Sequence, residues 1–358
     1  MHMNKVRVLF LPPVDADNTN AQSLNVREIV LRLDPERIES TLWYERAPDA
    51  RLCQRPGILF LKLPQYGKTL RILKELLSGY DIIAYMDYSP ASYLLLHTPR
   101  LFRGLTKTVF HAEGPMATIV NPPRLLKLLV GGVLPNCDVH TGITEFVARD
   151  MARALDRELK YVLPVGVDTA FFTQPLERNH AVPIVLFVGT LIERKGPQHL
   201  LTAAARFPQA RFRIVGAGRD GFENVLRQKA GELQVKNVTF EGPRTQPEVR
   251  DIMRQSDIFV LPSRLEGIPK VTLEAAAAGL PCIVFRDYQT PSVLDGVTGF
   301  QVSTLEEMLS RLAQLIQDSI LRNKMGVAAR RHALTFDWDL IAKRWERTYL
   351  VIACGSAC

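Results

Sequence analysis

The chain repeats one rhythm and then begins it again. Short apolar runs at 5–11, 40–45, 57–63, 81–86, 107–112, 138–144 and 160–164 are mostly separated by helix-length amphipathic segments. A second series follows at 183–189, 211–216, 237–242, 257–263 and 281–285. Strand and helix in alternation predict a parallel sheet covered by helices, because parallel neighbours need a long crossover. Two rounds therefore predict two α/β domains. We place the first at 1–165 and the second at 183–335, with 166–182 between them as a linker of turn and polar residues. Residues 336–358 form a terminal helix and tail, the helix having its apolar and aromatic residues at helical spacing.

A length of 358 residues suits two domains of ordinary size, and 47% apolar with 23% charged residues is the balance of a fully folded globular protein. The longest apolar stretch, from Leu125, is broken by Lys127, Gly131 and Gly132 and is too short to span a bilayer. The run at 5–11 follows the N-terminus without the pattern of a secretory signal, so a cytoplasmic location is expected. Five cysteines without a CxxC pair read as thiols rather than a disulfide framework or a structural metal site. A net charge of +8 favours an anionic partner, and charge alone does not choose among a phosphorylated small molecule, an acidic membrane surface and nucleic acid. Segments 97–107 and 122–132 mix basic and apolar residues, a pattern that suits peripheral contact with an anionic membrane. It equally suits two ordinary helices with buried faces.

The candidate chemistry lies in the second half. Three predicted strands there run into glycine-bearing turns: Gly189–Thr190, Gly216, and the stretch "PSRLEGIPK" at 262–270. In an open parallel sheet ligands bind beyond the carboxyl ends of the strands, and glycine lets a ligand approach the backbone. In the third turn Gly267 precedes a helix predicted to begin over Ile268, Pro269, Lys270 and Val271, with proline in the first turn. Its free N–H groups and positive dipole end suit a phosphate. Lys195, with Arg194 beside it, precedes Gly196 at another helix start and places positive charge on the same phosphates.

Glu266 stands in the loop and Glu274 two turns into the helix. Phosphate repels carboxylates, so the two glutamates must address another part of the ligand, and vicinal hydroxyls donate well to a carboxylate. A diphosphate between two polyols is a nucleotide sugar.

The blocks "GTLIERKGPQHLL", "RIVGAG", "FEG", "SDIFVLPS", "EGIPKVTLEAAAAGLPCI" and "DGVTGF", preceded by "TGITEFVARDM" and "LPVGVDTAFF", resemble in order and spacing the retaining glycosyltransferases of family 4 (glycosyl transferases group 1). The resemblance covers about residues 138–350 and is weak before that. It implies the GT-B fold, two Rossmann-like domains facing a cleft, and transfer of a hexosyl unit from a nucleoside diphosphate sugar with retention of configuration. It also implies a sugar, lipid-linked or small-molecule acceptor, no nucleic acid, and no cofactor besides the donor.

Residue by residue, Glu266 then contacts the donor sugar, with backbone N–H groups around Gly267, Ile268 and Pro269 assisting. Glu274 binds ribose hydroxyls and Lys195 the diphosphate. Thr190 stands where the family has an arginine, and Arg194 is the available substitute. The family's glycine pair after the first strand is replaced by "PPVDADNTNAQSLN", in which Asn20 can cap the next helix and aim its N–H groups at the cleft. His111 occupies the position of a histidine that faces the transferred sugar. The acidic triplets at 15–17 and 337–339 read as solvated loop and helix residues, so no metal site is expected. The rival readings are a nucleotide-sugar-binding protein without catalysis, given Thr190 and the missing glycines, and a sugar-nucleotide epimerase on the same scaffold.

Overall fold

The computed structural model describes residues 5–16, 21–66, 71, 74–75, 78–86, 105–115, 137–156, 158–173 and 180–355. The chain forms two compact units, one comprising residues 1–165 with 338–358, the other residues 166–337.

The first unit is built on strands β1 (Val6–Phe10), β2 (Ile38–Tyr44), β3 (Ile58–Lys62), β4 (Ile82–Tyr85), β5 (Lys107–Ala112), β6 (Val139–Gly142) and β7 (Tyr161–Val162). They run in the order β3-β2-β1-β4-β5-β6-β7, every pair parallel. Inner strands are apolar on both faces because helices cover both sides of such a sheet; all four residues of β4 are buried. The edge strand β3 alternates between half-buried and exposed positions. Helices α1 (Ala21–Val30), α2 (Ala50–Cys53) and α3 (Glu145–Leu155) lie in the same unit. The last begins at Thr144, whose side chain accepts from the Val147 N–H, and ends at Asp156 in the left-handed region (φ 49°).

The C-terminal helix, Trp338–Cys354, packs against α1 and β1 of this unit. Trp338, Ile341, Ala342, Trp345, Tyr349 and Ile352 form its buried stripe, at the spacing of one helical face. The Trp345 indole donates to the Pro164 carbonyl at 2.9 Å, and Glu346 accepts from Arg37 (2.8 Å) and from the Asp34 N–H (2.9 Å).

The second unit repeats the plan with β8 (Ile184–Val188), β9 (Arg211–Val215), β10 (Val238–Gly242), β11 (Ile258–Leu261), β12 (Cys282–Phe285) and β13 (Gly299–Val302), again all parallel and ordered β10-β9-β8-β11-β12-β13. The sequence series lacks β13, whose four residues follow a turn and carry no long apolar run. Its helices are α4 (Thr169–Phe172), α5 (Pro197–Arg206), α6 (Phe222–Glu232), α7 (Gln246–Arg254), α8 (Lys270–Ala277), α9 (Leu305–Gln317) and α10 (Ser319–Ala333); the C-terminal helix is α11. Part of the stretch read as a linker is built into this unit. Asp168 caps α4, Phe172 is buried, and Val167 bridges Asp337.

Both sheets are thus Rossmann-like. In the second, the chain passes from β8 outward to β9 and β10, then returns to β11 on the other side of β8. The gap between the carboxyl ends of β8 and β11 is the switch point at which such sheets bind ligands.

Candidate active site

Three loops meet at that switch point, and two glycines let them. Gly216, after β9, has φ +145°, and a Cβ there would fall 1.8 Å from the Gly189 carbonyl oxygen of the loop after β8. Gly196 has φ +74°, and its Cβ would lie 2.4 Å from the Pro262 carbonyl oxygen of the loop after β11. Backbone meets backbone at both points, which only glycine permits. Leu191 also bridges Gly218. Gly189 lies along the Lys195 stem, Cβ-to-Cδ distance 3.4 Å if a side chain were present, and Thr190 is half-buried beside it.

Helix starts at these strand ends are left bare. α5, α6 and α8, which follow β8, β9 and β11, begin at Gly196, Gly221 and Pro269, and no side chain caps any of them. Pro269 is thus the residue before α8 rather than within its first turn, and the helix begins at Lys270. The helices after the edge strands differ. α7 starts with a reciprocal Thr245–Glu248 box, and α9 with Thr304 accepting from the Glu307 N–H. Bare helix starts gathered at a switch point present partial positive charge to an anion.

Glu266 sits among cations at this point. Its Oε1 accepts from Ser263 Oγ at 2.7 Å and lies 3.0 Å from Lys195 Nζ and 3.3 Å from an Arg194 Nη. Arg194 also donates to the Leu265 carbonyl, and its own carbonyl accepts from the Arg264 N–H at 3.2 Å. The side chain of Glu266 is 13% exposed. Burial by itself would raise its carboxyl pKa, but Lys195 and Arg194, with Ser263, hold it below the ordinary carboxylate range. Glu266 therefore stays ionised.

Glu274, on α8, is half-buried. Loss of hydration raises its pKa, and Lys270, one turn earlier, pulls it back. The two glutamates of one short stretch thus have pKa values displaced in opposite directions, the mark of two environments. Gly267 and Ile268 are buried beneath this loop, and Val271 is half-buried.

Comparison with known proteins decides the family. A family described as glycosyl transferases group 1 matches residues 168–332. A GDP-mannose-dependent monoacylated alpha-(1-6)-phosphatidylinositol monomannoside mannosyltransferase of Corynebacterium glutamicum is 30% identical over 356 residues, covering 89% of this chain and 91% of that protein. The chain is a group 1 glycosyltransferase. Solved structures agree on the GT-B fold. A glycosyltransferase from Rickettsia africae superposes with a TM-score of 0.77 at 18% identity, covering 99% of this chain and 100% of the other. Anabaena HepE in complex with UDP superposes at 0.74 with 17% identity, covering 96% and 99%.

Within this glycosyltransferase, the structure joins residues that the sequence assigned to separate tasks. Lys195 and Arg194, expected on phosphates, both rest on Glu266, expected on a sugar. Ser263 was missed although it stands three residues before Glu266 in the same block. Tyr288 was missed as well: it is 2% exposed, burial pushes the pKa of its phenol up, and the charge of Glu266 pushes it further while Arg194 pulls it back.

His111 is the clear correction. It is 1% exposed and spends both ring nitrogens inside the first unit, on Thr141 Oγ1 at 2.6 Å and on Tyr349 Oη at 2.9 Å. The Trp345 ring lies 4.4 Å from the imidazole. Burial drives its pKa down to about 3, so it is neutral. A side chain so enclosed cannot face a sugar; it ties β5 and β6 to α11.

Asp15, read as solvated, is buried and accepts from the N–H groups of Glu45, Arg46 and Ala47. Asp337 bonds Thr169, and Asp339 pairs with Arg32 at 2.6 Å. Among the described residues no three His, Cys, Asp or Glu side chains gather as a metal site. None of the described helices is long and apolar enough to cross a membrane. Asn20 and nearly all of segments 97–107 and 122–132 lie outside the described residues.

Proposed function

We propose that the enzyme moves a hexosyl unit from a nucleoside diphosphate sugar to an acceptor hydroxyl of a sugar, lipid-linked or small molecule, with retention at the anomeric carbon. One observation carries this reading: two cations converge on an ionised carboxylate at the β8–β11 switch point, where α5 and α8 begin without side-chain caps. The relatives point the same way, one named for GDP-mannose and a phosphatidylinositol monomannoside, another solved with UDP.

In this reading the diphosphate takes Lys195, Arg194 and the α8 N-terminus, and Glu274 holds ribose hydroxyls. Glu266 accepts from hydroxyls of the hexosyl unit. The bond from the anomeric carbon to the phosphate oxygen breaks first, its electron pair leaving with the diphosphate, whose charge the two cations stabilise. The acceptor oxygen bonds on the same face and gives its proton to a leaving-phosphate oxygen. Glu266, ionised, faces the positive charge that grows at the anomeric carbon. Because cationic side chains and a helix end already serve the diphosphate, the reaction needs no divalent ion.

The test is incubation with GDP-mannose or UDP-glucose, with and without excess chelator, while following free nucleoside diphosphate and sugar products. Turnover of one donor, unchanged by chelation, is expected. Tight binding without turnover would make the chain a non-catalytic binder, and loss of turnover restored by magnesium or manganese would overturn the metal-free mechanism. A converted sugar nucleotide with no free diphosphate would mean epimerisation.

A further inference from the structure

The ligand-free site holds a conflict that donor binding has to resolve. Lys195, Arg194 and Ser263 all address one oxygen of Glu266. When a diphosphate draws both cations away, this mostly buried carboxylate loses the charges that offset its desolvation. The incoming phosphates add negative charge of their own. Glu266 would then drift toward protonation at the moment it must accept from the sugar.

The loop after β12 contains a replacement donor. It is tied to the Glu266 loop at one end by Arg264–Asp287 (2.7 Å), with the Arg264 guanidinium 3.9 Å over the Phe285 ring. At the other end Ser292 Oγ meets Thr272 Oγ1 of α8 at 2.6 Å. Between these ties stand Tyr288 and Thr290, each 2% exposed, and neither hydroxyl has a hydrogen-bond partner. Thr290 is near enough to the phenol to affect its acidity, yet the two are not in bonding geometry. Tyr288 directly follows Asp287, which pairs with Arg264 two residues before Glu266; burial raises the pKa of the phenol, and the Glu266 charge raises it further. A buried hydroxyl without a partner lowers stability, and in a native fold it calls for an explanation, a role in catalysis among them.

We propose that Tyr288 is a positioning residue that donates its phenolic hydrogen bond to Glu266 in the donor complex, as Lys195 and Arg194 turn to the diphosphate. The bond keeps Glu266 ionised and oriented under the sugar. This inference rests on the reading of Glu266 given above.

Tyr288→Phe removes the hydroxyl and keeps the ring. Free Tyr288→Phe should melt at the wild-type temperature or above, since an unpartnered buried group is removed. Affinity for the nucleoside diphosphate alone should be unchanged. In the donor turnover assay kcat should fall about tenfold, because a hydrogen bond to a charged group is lost. The acid limb of kcat should move to higher pH, because Glu266 in the complex then protonates more readily. Wild-type kcat with an unmoved acid limb overturns the proposal, and so does a lowered melting temperature with normal kcat, which would make the residue structural. Glu266→Gln, assayed in parallel, separates the two readings. If it too turns over normally, the role of Glu266 is wrong; if it is impaired and Tyr288→Phe is not, only the partner exchange fails.

Discussion

His111 and Glu266 occupy comparable places, each at or just beyond the carboxyl end of an inner strand of a parallel sheet, and their surroundings differ in kind. Around His111 every polar group is used: both ring nitrogens are bonded, the rings of Trp345 and Tyr349 close over it, and no charge accompanies it. Around Glu266 charge is concentrated and the adjoining helix starts are bare. A saturated polar group belongs to the fold, whereas a site with donors and cations in excess has capacity left for a ligand. That difference separates a residue used up by the fold from a candidate for ligand binding more sharply than residue type does.

If the excess charge serves the leaving diphosphate, Lys195→Ala lowers kcat on the order of 10²-fold to 10³-fold and raises donor KM much less. A rise in KM with unchanged kcat would reduce Lys195 to a ground-state clamp.

Glu266→Gln comes next. Shape and one acceptor oxygen remain, so affinity for the free nucleoside diphosphate should hold while kcat falls on the order of 10²-fold. Calorimetric titration beside turnover measurement checks this. Glu274→Gln is expected to weaken the nucleotide as well, by roughly tenfold, as a charged hydrogen bond to the ribose is lost. The opposite pattern in the two variants would reverse their roles. Arg194→Ala should have a smaller effect on kcat, about tenfold, since its guanidinium is 39% exposed and its partner is shared with Lys195. Full activity there would remove it as the substitute for the arginine absent at Thr190.

The smallest effect on turnover, and a large one on stability, is expected at His111. His111→Phe leaves Thr141 and Tyr349 hydroxyls unpaired in the core and should cost about 2–4 kcal/mol at neutral pH, with activity per folded molecule unchanged. The pH dependence has a definite sign. The folded pKa of about 3 lies below the ordinary 6.5, so below pH 6.5 the unfolded chain takes a proton that the folded chain refuses. The wild type therefore loses about 1.4 kcal/mol per pH unit from roughly pH 6.5 downward, until His111 titrates in the folded state. His111→Phe lacks this term, so chemical denaturation at pH 7 and pH 5 should show the two proteins converging. A gap as wide at pH 5 would contradict the neutral, sealed imidazole, and loss of turnover in the folded variant would return His111 to the active site.

Much of this molecule was legible in its sequence, for reasons local to the chain. Inner strands of a parallel sheet must be apolar on both faces, so β4, β8, β11 and β12 announce themselves as continuous runs. Turns that need glycine are visible one residue at a time, which is why Gly189, Gly196 and Gly216 marked loops that the fold brings together. Block order and spacing carried the family, and with it the candidates Lys195, Glu266 and Glu274. β13 escaped because four residues after a turn leave no period to read.

What the chain does with each polar side chain was decided only in three dimensions. Alternation put His111 on a strand end, but whether that end opens to solvent or lies under α11 depends on a helix more than 200 residues away, through Tyr349. Lys195 and Glu266 are far apart in sequence, and their ion pair exists because Gly196 lets one loop rest on the Pro262 carbonyl of another. Tyr288 is an unremarked tyrosine until burial removes water from its hydroxyl and the fold supplies no substitute. Sequence pattern records which residues prefer apolar surroundings or special backbone angles, since those preferences act at the residue itself. Desolvation and charge pairing are sums over neighbours, and the tertiary structure chooses the neighbours.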